Sequence, residues 1–318
     1  MKRLQWLGIL MVLLVSSAAH ADVWPSKMVK AVIPFGAGSA ADVILRSVLE
    51  RLSTELGQPV MIENRAGAGG TIGTGMVARA EPDGYTMLVH SSAHVIAPAI
   101  YPDLQYDPNK DFASALMVGY SANVMIVPPS RPWKTVQDFL TAAKAKDAAL
   151  TFGSVGVGSA THISGEKFRL AAGFKATHIP YRGGSEVMTD ILGGRIDFYF
   201  CPLATALPLI REGQVRALLV STLARVPELP DVPTPADIGF PEAESLIWFG
   251  AFMPSKTPRD VVEKFHATGT KVLASPEMQK SLQKLAVTAW PMTPAQMDDL
   301  VAREIKANIA LIKAAGIN

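Results

Sequence analysis

Short apolar runs alternate with segments of helical periodicity in the first third of the chain. Residues 29–35 predict a strand, and residues 41–56 predict a helix because their apolar positions recur every three or four residues. A second strand at 59–64 precedes a glycine-rich turn and a helix at 72–79, and a third strand at 85–92 precedes another turn of small residues. This repeated order of strand, turn and helix predicts a parallel sheet wrapped by helices.

The middle of the chain repeats this order and predicts a second α/β domain. Strands are predicted at 123–129 and 150–156, and each is followed by a helix, at 135–146 and 160–173. Five shorter segments of alternating strand and helix character follow between 176 and 222.

The last third of the chain begins with a proline-rich stretch, residues 225–244, which cannot form regular sheet because proline lacks the amide hydrogen. A strand at 245–255 follows, and mainly helices are predicted after it. Two of these helices begin with Ser275 or Thr293 as the N-cap and a proline immediately after it. We expect this helical tail to have no sheet of its own and to pack on the first domain.

Packing of the tail on the first domain makes the chain cross between two lobes twice. The crossing strands are predicted near residues 120–128 and 246–253, and a pair of such strands forms a hinge. The predicted boundaries are 22–123 and 247–318 for lobe 1 and 124–246 for lobe 2. A ligand is then expected in the cleft between the lobes.

The first twenty-one residues have the pattern of a secretory signal peptide. Two basic residues precede an apolar run at 7–15, and Ala19 and Ala21 fit the cleavage positions before Asp22. An uncleaved anchor is the alternative, but the run is short for a bilayer span. We expect export of a soluble mature chain to a prokaryotic periplasm.

Charge and cysteine content narrow the classes of partner. The formal net charge is +2, and acidic and basic residues are interspersed, so the sequence has no basic stripe for nucleic acid. We expect a small-molecule or protein partner, no cofactor and a monomer. Cys201 is the only cysteine, which excludes an internal disulfide and a cysteine-rich metal site, and we expect it to be buried as a small apolar residue.

Two turns carry the candidate chemistry. After the first strand, residues 36–41 (GAGSAA) leave backbone amides uncovered at the start of a helix, where N–H groups and the helix dipole favour an anion such as a carboxylate. Asp42, in the first helical turn, is interpreted as a helix stabiliser. Residues 153–162 (GSVGVGSATH) have the same design, with Ser159 either an N-cap or a ligand. Two such turns facing each other across a hinge could bind the oxygens of one small acid.

Nucleotide binding and catalysis have weaker support. Residues 63–75 (ENRAGAGGTIGTG) lack the lysine of a phosphate loop and the correctly placed acid of a dinucleotide site. His162 and His178 are candidate bases, but no acid at a motif spacing orients either, and His162 could instead donate to an anion or cap its helix. Arg182, between a strand end and two glycines, is either a carboxylate clamp or a partner in an ion pair.

Five motifs together resemble those of the substrate-binding proteins of tripartite tricarboxylate transporters, the Bug family. They are, in order, PFGAGSAAD, ENRAGAGGTIGTGMVARAEPDGYT, GSVGVGSATHISGEKF, HIPYRGG and DILGGRIDFYF. The likeness runs from about Trp24 to the C-terminus. It implies an α/β Venus flytrap, which is the two-lobed periplasmic binding protein fold with two crossover strands as the hinge. It also implies that the protein delivers organic acids to a membrane permease.

The resemblance also implies a set of ligand-binding residues, because the family holds carboxylates mainly through backbone amides and bridging waters in the two turns. The implied residues of the first turn are Phe35, Gly38, Ser39, Ala40 and Ala41. The implied residues of the opposite turn are Ser154, Gly158, Ser159, Thr161 and His162. Ser91 and Ser92, at the end of the third strand, are expected to line the floor, whereas ENRAGAGG and PDGYT are interpreted as structural.

Three departures from the family pattern bear on the ligand. Ser39 stands where a second glycine is usual, and Ala66 replaces a commoner proline with little expected effect. Cys201 stands where relatives often have Asp, so a ligand ammonium group would lose its counter-charge, which argues against amino acids. Phe35, Arg182 and Cys201 are expected to distinguish aliphatic from aromatic acids.

The main prediction is a periplasmic protein that closes on a mono- or dicarboxylic acid and performs no chemistry. A sensory module that presents its loaded form to a membrane sensor kinase is the alternative, since it would share the export signal and the fold. A hydrolase that depends on Ser159 or His162 is the third class.

Overall fold

The computed structural model describes residues 24–317, so the predicted signal peptide lies outside the described part of the chain. The first third forms three strands and three helices: β1 (Val29–Ile33), α1 (Ala40–Leu56), β2 (Val60–Asn64), α2 (Thr71–Ala78), β3 (Thr86–Ser91) and α3 (Ala93–Ile100). These elements match the predicted order of strand, turn and helix. Helix α3 is the exception, because only a turn of small residues was predicted there and Pro98 lies inside the helix.

A long strand, β4 (Phe112–Val127), leads into the second α/β unit. The elements that follow it are α4 (Val136–Ala143), β5 (Leu150–Ser154), α5 (Ala160–Ala172), β6 (Ala176–Pro180), α6 (Gly184–Leu192), β7 (Phe198–Pro202), α7 (Leu203–Arg211) and β8 (Arg216–Val220). The strand predicted at 123–129 is therefore only the second half of β4. Its first half was missed.

The proline-rich stretch forms no strand, as predicted, and contains one short 3-10 turn, Pro241–Ala243. The remaining elements are β9 (Leu246–Pro254), α8 (Arg259–Ala274), α9 (Pro276–Lys284), β10 (Val287–Ala289) and α10 (Pro294–Ala315). Ser275 and Thr293 cap α9 and α10 as predicted, each accepting a backbone N–H three residues on. The tail also contains one short strand, β10, which was not predicted from the sequence and which pairs with β4 of the existing sheet.

Strands β4 and β9 join the two lobes. The sheet order is β2-β1-β3-β9-β4-β7-β5-β6, with β1, β2 and β3 parallel and β9 antiparallel to β3. The first half of β4 pairs with β9 over Phe112–Ala122, whereas its second half pairs with β7 and β8 from Asn123 onward. One strand thus belongs to both sheets, and the chain returns at β9. This is the two-lobed α/β fold with two crossing strands.

Successive residues of a strand point to opposite sides of the sheet. Each sheet therefore has side chains on both faces, and both faces are covered by packed residues. In the first lobe, α1 and α8 cover one face through residues such as Leu45 and Phe265, and α2 and α10 cover the other through Val77 and Leu300. In the second lobe, a cluster of phenylalanines packs on one face and an aliphatic cluster that includes Cys201 packs on the other. Cys201 is fully buried, as predicted.

The C-terminal helices pack on the first lobe. Helix α10 lies against α3, where Asn308 Nδ2 donates to the carbonyl oxygen of Val95 at 3.5 Å. Ile312 of α10 also meets Ile96 of α3 and Ile163 of α5 in a small apolar cluster, so the lobes are in contact there. No helix within residues 24–317 has the length and apolar character that a membrane crossing requires.

Candidate functional site

The two turns predicted to bind an anion have nearly the same sequence, and their serines and the glycines before them have the same backbone conformation. Residues 36–40 (GAGSA) follow β1, and residues 156–160 (GVGSA) follow β5. The two serines are the N-caps of α1 and α5, with φ and ψ of −65° and 157° at Ser39 and −68° and 156° at Ser159. The glycine before each serine has a positive φ, +78° at Gly38 and +75° at Gly158, which favours glycine. The turns therefore share the geometry of the glycine and serine that precede each helix, but differ at the first glycine, because Gly156 has φ +117° and Gly36 has no positive φ.

Their hydrogen bonds also correspond. Ser39 Oγ accepts from the N–H of Asp42, and Ser159 Oγ accepts from the N–H of His162, each at 3.2 Å. The N–H of Gly38 donates to Asp42 Oδ2 at 2.9 Å, and the N–H of Gly158 donates to His162 Nδ1 at 3.1 Å. Each turn is thus held in place by its serine and by the third residue of its helix.

These bonds leave the same two amides of each turn without a partner. Within residues 24–317, the N–H groups of Ala40 and Ala41 have no hydrogen-bond acceptor, and neither do those of Ala160 and Thr161. They are the first two helical amides, which the helix itself cannot satisfy. Such N–H groups, together with the positive end of the helix dipole, favour an anion.

Both turns open into one cavity of about 530 Å³ between the lobes. Its wall contains Gly38, Ser39 and Ala40 from the first turn and Gly158, Ser159 and Thr161 from the second. The remaining wall is mainly apolar, formed by residues such as Phe35, Ile96, Ile100, Val155 and Val157. Among the described residues that line this cavity, Arg182 alone carries a charge. The absence of an acid from this wall favours an anionic guest.

Nine of the fourteen predicted site residues line the cavity. They are Phe35, Gly38, Ser39, Ala40, Gly158, Ser159, Thr161, Arg182 and Cys201. Cys201 is part of the wall although its side chain is fully buried, and this burial raises the pKa of its thiol.

The other five, Ala41, Ser91, Ser92, Ser154 and His162, are outside the cavity wall described by the structure. Ala41 packs into the lobe 1 core, and Ser91 and Ser92 are buried at the end of β3. Ser154 is also buried, with its Oγ 2.6 Å from His178 Nε2. His162 is buried beneath its own turn.

The wall also contains residues that the sequence did not mark as ligand-binding. Ala66, Gly67, Gly69 and Gly70 line the cavity, although their motif was interpreted as structural. The glycine density of that motif was the available signal. Helix α3 contributes Ile96, Ala97 and Ile100, which were missed because the helix itself was missed.

Asp42 and His162, which accept the N–H groups of Gly38 and Gly158, differ in charge. Burial raises the pKa of Asp42, but hydrogen bonds from Arg46, Asn64 and Gly38 outweigh this and hold the pKa below its usual value. Burial, with the nearby His178 and Arg169, lowers the pKa of His162 to about 3. Asp42 is therefore an anion paired with Arg46, and His162 is neutral.

The two histidines considered as bases have structural partners. Because His162 Nδ1 accepts the Gly158 N–H, the proton of this neutral ring lies on Nε2, 3.8 Å from Glu166 Oε1. Burial lowers the pKa of His178 to about 4, and the His178 ring stacks on that of His162 with centroids 3.8 Å apart. His162 thus holds the turn in place through Gly158, whereas Ser159 is the N-cap of α5.

Two α/β lobes joined by crossing strands, with an anion-favouring cavity between them, define a two-lobed solute-binding protein. Residues 44–317 match the family described as "Tripartite tricarboxylate transporter family receptor". The chain belongs to this family, which includes the proteins named Bug.

Curated relatives align over almost the whole chain. A protein of Pseudomonas sp. (strain P51), described as "UPF0065 protein in tcbD-tcbE intergenic region", is 35% identical over 93% of this chain and 89% of its own length. BugT of Bordetella pertussis is 30% identical over 95% of this chain and 93% of its own.

Solved structures of the same type superpose closely. The periplasmic binding protein BugD is 32% identical, with a TM-score of 0.81 over 93% of this chain and 99% of BugD. Rpa4515 of R. palustris, solved with adipate, is 31% identical, with a TM-score of 0.82 over 92% and 98% of the two chains. MatC of Rhodopseudomonas palustris, solved with malate, is 29% identical, with a TM-score of 0.80 over 91% and 100%. The family and these neighbours are substrate-binding proteins and not enzymes.

Proposed function

We propose that this protein captures a small carboxylic acid in the cavity between its lobes and delivers it to a tripartite tricarboxylate-type permease from the periplasm. The observation that carries the proposal is the pair of corresponding turns, each with two unpartnered amides, at a cavity whose wall includes Ala40 and Thr161 and, among the described residues, no acid. The adipate and malate bound by Rpa4515 and MatC support a carboxylate ligand. The family's description as a transporter receptor favours transport over sensing.

One carboxylate is bound by both turns, with the Ala40 and Ala41 amides on one side and the Ala160 and Thr161 amides on the other. Closure of the lobes excludes water from the cavity, and each N–H to carboxylate interaction is stronger in that drier environment. The apolar wall then covers the carbon chain of the acid.

We assign lobe 1 to 22–123 and 247–318 and lobe 2 to 124–246.

Proline at the first helical position provides a selective test. Proline there removes one N–H while its fixed φ suits the helix. The chain already has this arrangement at Pro294, whose N-cap Thr293 has φ −68° and ψ 157°, close to the angles of Ser39. Ala40→Pro and Ala160→Pro therefore each delete one proposed donor with little expected effect on folding.

A thermal-shift screen of aliphatic and aromatic mono- and dicarboxylates identifies the ligand, because a compound that binds only the folded state raises Tm. Isothermal titration of the best compound then compares wild type with Ala40→Pro and Ala160→Pro. We expect each variant to bind the compound at least about tenfold more weakly, because each loses one charge-assisted hydrogen bond. Unchanged affinity in both variants, with normal unliganded Tm, would exclude the turns as the binding site.

A further inference from the structure

Three arginines of lobe 2, Arg182, Arg211 and Arg216, have no acidic partner among the described residues, and of these only Arg182 lines the cavity. Arg131 pairs with Asp197 at 2.7 Å, Arg195 with Asp190 at 2.6 Å and Arg225 with Asp237 at 3.1 Å. Within residues 24–317, the exposed Arg182 side chain forms no ion pair. A guanidinium at a cavity wall without a counter-charge is available to an anion from solution.

The backbone at Arg182 is held in position. It follows β6 and precedes α6, whose N-cap is Gly183. The N–H of Arg182 donates to Glu186 Oε2 at 3.0 Å, so the nearest acid on α6 binds the backbone of Arg182 and forms no ion pair with its guanidinium. Gly183 and Gly184 line the cavity with Arg182, and they place no side chain between the guanidinium and a guest.

The cavity has more room and a different surface than a single carboxylate requires. Its volume of about 530 Å³ lies within the range of sites for whole organic ligands. Apart from the two turns and Arg182, its wall is mostly apolar, including Ile96, Ile100 and Val155. This composition suits a molecule with a hydrocarbon middle and charged groups that reach two separate polar regions.

We propose that Arg182 is the selectivity residue of this site and binds the second carboxylate of a dicarboxylate whose first carboxylate lies at the two turns. The inference rests on the proposed function. A guanidinium matches a carboxylate with two parallel hydrogen bonds, so the diacid gains a charge-assisted contact that a monoacid of equal length lacks. The apolar wall accepts either compound, and Arg182 supplies the preference between them.

The experiment compares matched pairs of acids on purified full-length mature protein. Isothermal titration measures the Kd of linear diacids from succinate to suberate, each beside the monoacid of the same carbon number, such as adipate beside hexanoate. The measurement is made where all carboxyl groups are ionised, at two salt concentrations. Wild type, Arg182→Gln, Arg182→Lys and Arg211→Gln are compared. Arg211 is the matched control because it is an exposed arginine of the same lobe outside the cavity wall.

In wild type we expect at least one diacid to bind about tenfold or more tightly than its monoacid, the size expected of a charge-assisted pair. Arg182→Gln removes this preference because it weakens binding of the diacid more than binding of the monoacid, while Arg211→Gln changes neither Kd. Arg182→Lys restores the preference in part, since it keeps the charge without the fork. Higher salt reduces the diacid preference because Arg182 is exposed.

The outcomes separate the two proposals. Equal affinity for diacids and monoacids in wild type, or an unchanged preference in Arg182→Gln, overturns the role of Arg182 while the carboxylate site stands. No binding of any acid by folded wild-type protein overturns the proposed function itself.

Discussion

Asp42 and His162 hold the same position in the two turns, although one is an ionised acid and the other a neutral imidazole. Each is the third residue of its helix, and each accepts the N–H of the glycine before the N-cap serine. The negative charge of Asp42 is balanced by Arg46, whose Nη2 lies 2.8 Å from Asp42 Oδ1. His162 adds no negative charge, so the second turn remains favourable to an anion.

Replacement of His162 tests this difference in charge. Asp fits the hydrogen-bond geometry, as Asp42 shows in the matching turn, but His162→Asp places an uncompensated negative charge under the second turn. We expect carboxylate affinity to fall at least about tenfold, or about 1.4 kcal/mol, by charge repulsion in a partly dry site. His162→Asn keeps a neutral acceptor and is the matched control. Titration of both variants checks this, and equal affinity would show that charge at this position is unimportant.

The glycines before the two serines provide a second matched pair. At Gly38 an added Cβ would meet nothing within 4 Å, whereas at Gly158 it would lie 2.8 Å from Cγ1 of Ile100 in the opposite lobe. Both glycines have positive φ, so Gly38→Ala and Gly158→Ala should each cost about 1 kcal/mol of unfolding free energy. Only Gly158→Ala should also obstruct the approach of the lobes, seen as weaker ligand binding and reduced compaction in small-angle scattering.

The double variant distinguishes obstruction from backbone strain. Ile100→Ala removes the atom that the new Cβ would meet, so Gly158→Ala with Ile100→Ala should regain the affinity of the Ile100→Ala single variant. If the double variant binds as poorly as Gly158→Ala alone, strain in the turn is the cause and the contact between lobes is not.

The buried histidines should make the protein less stable in mild acid. Burial lowers the pKa of His94 to about 3 and of His178 to about 4, and burial with His178 and Arg169 lowers that of His162 to about 3, against 6.5 in an unfolded chain. The unfolded chain therefore binds more protons below pH 6.5, and the free energy of unfolding falls as pH decreases from 6.5 towards 4.

His94→Leu tests the sign of this effect. The His94 ring is buried between Phe112 and Phe252, with centroids at 5.1 and 4.5 Å, so an apolar side chain suits the site. Denaturant unfolding at several pH values should show a shallower decline in the variant and a gain over wild type that grows with acidity. If the unfolding free energies of wild type and His94→Leu had the same pH dependence, His94 would not be a cause of the loss of stability in acid.

The turns could be predicted from sequence because their geometry is local. The spacing of glycine, serine and the helix start fixes the amides, and both turns form as expected around Ser39 and Ser159. Ser92 and Ser154 could not be assigned in this way, because distant partners set their surroundings. The N–H of Ser92 donates to the carbonyl oxygen of Trp248, and Ser154 Oγ meets His178.

The same difference between local geometry and distant partners explains the errors in the predicted secondary structure. The first half of β4 contains Ser114, Gly119 and Ser121, so it lacks a clear apolar alternation. It is a strand because β9 and β10 pair with it from far along the chain. Helix α3 was missed because Pro98 in its interior suggests a break, whereas packing against α10 supports the helix.

Cys201 allows a test of which charges the cavity accepts. It stands in the cavity wall, and the described wall has no acid to pair with a ligand ammonium group. We therefore expect wild type to bind succinate at least about tenfold more tightly than aspartate, which adds an ammonium group to the same carbon chain. Cys201→Asp should reduce or reverse this preference, because an ionised Asp repels the diacid and attracts the ammonium group. Cys201→Ser is the control of similar size without charge, and it should keep the wild-type preference. Competition titrations of succinate and aspartate measure the ratio directly, and a wild-type preference for aspartate would show that another group in the cavity supplies the counter-charge.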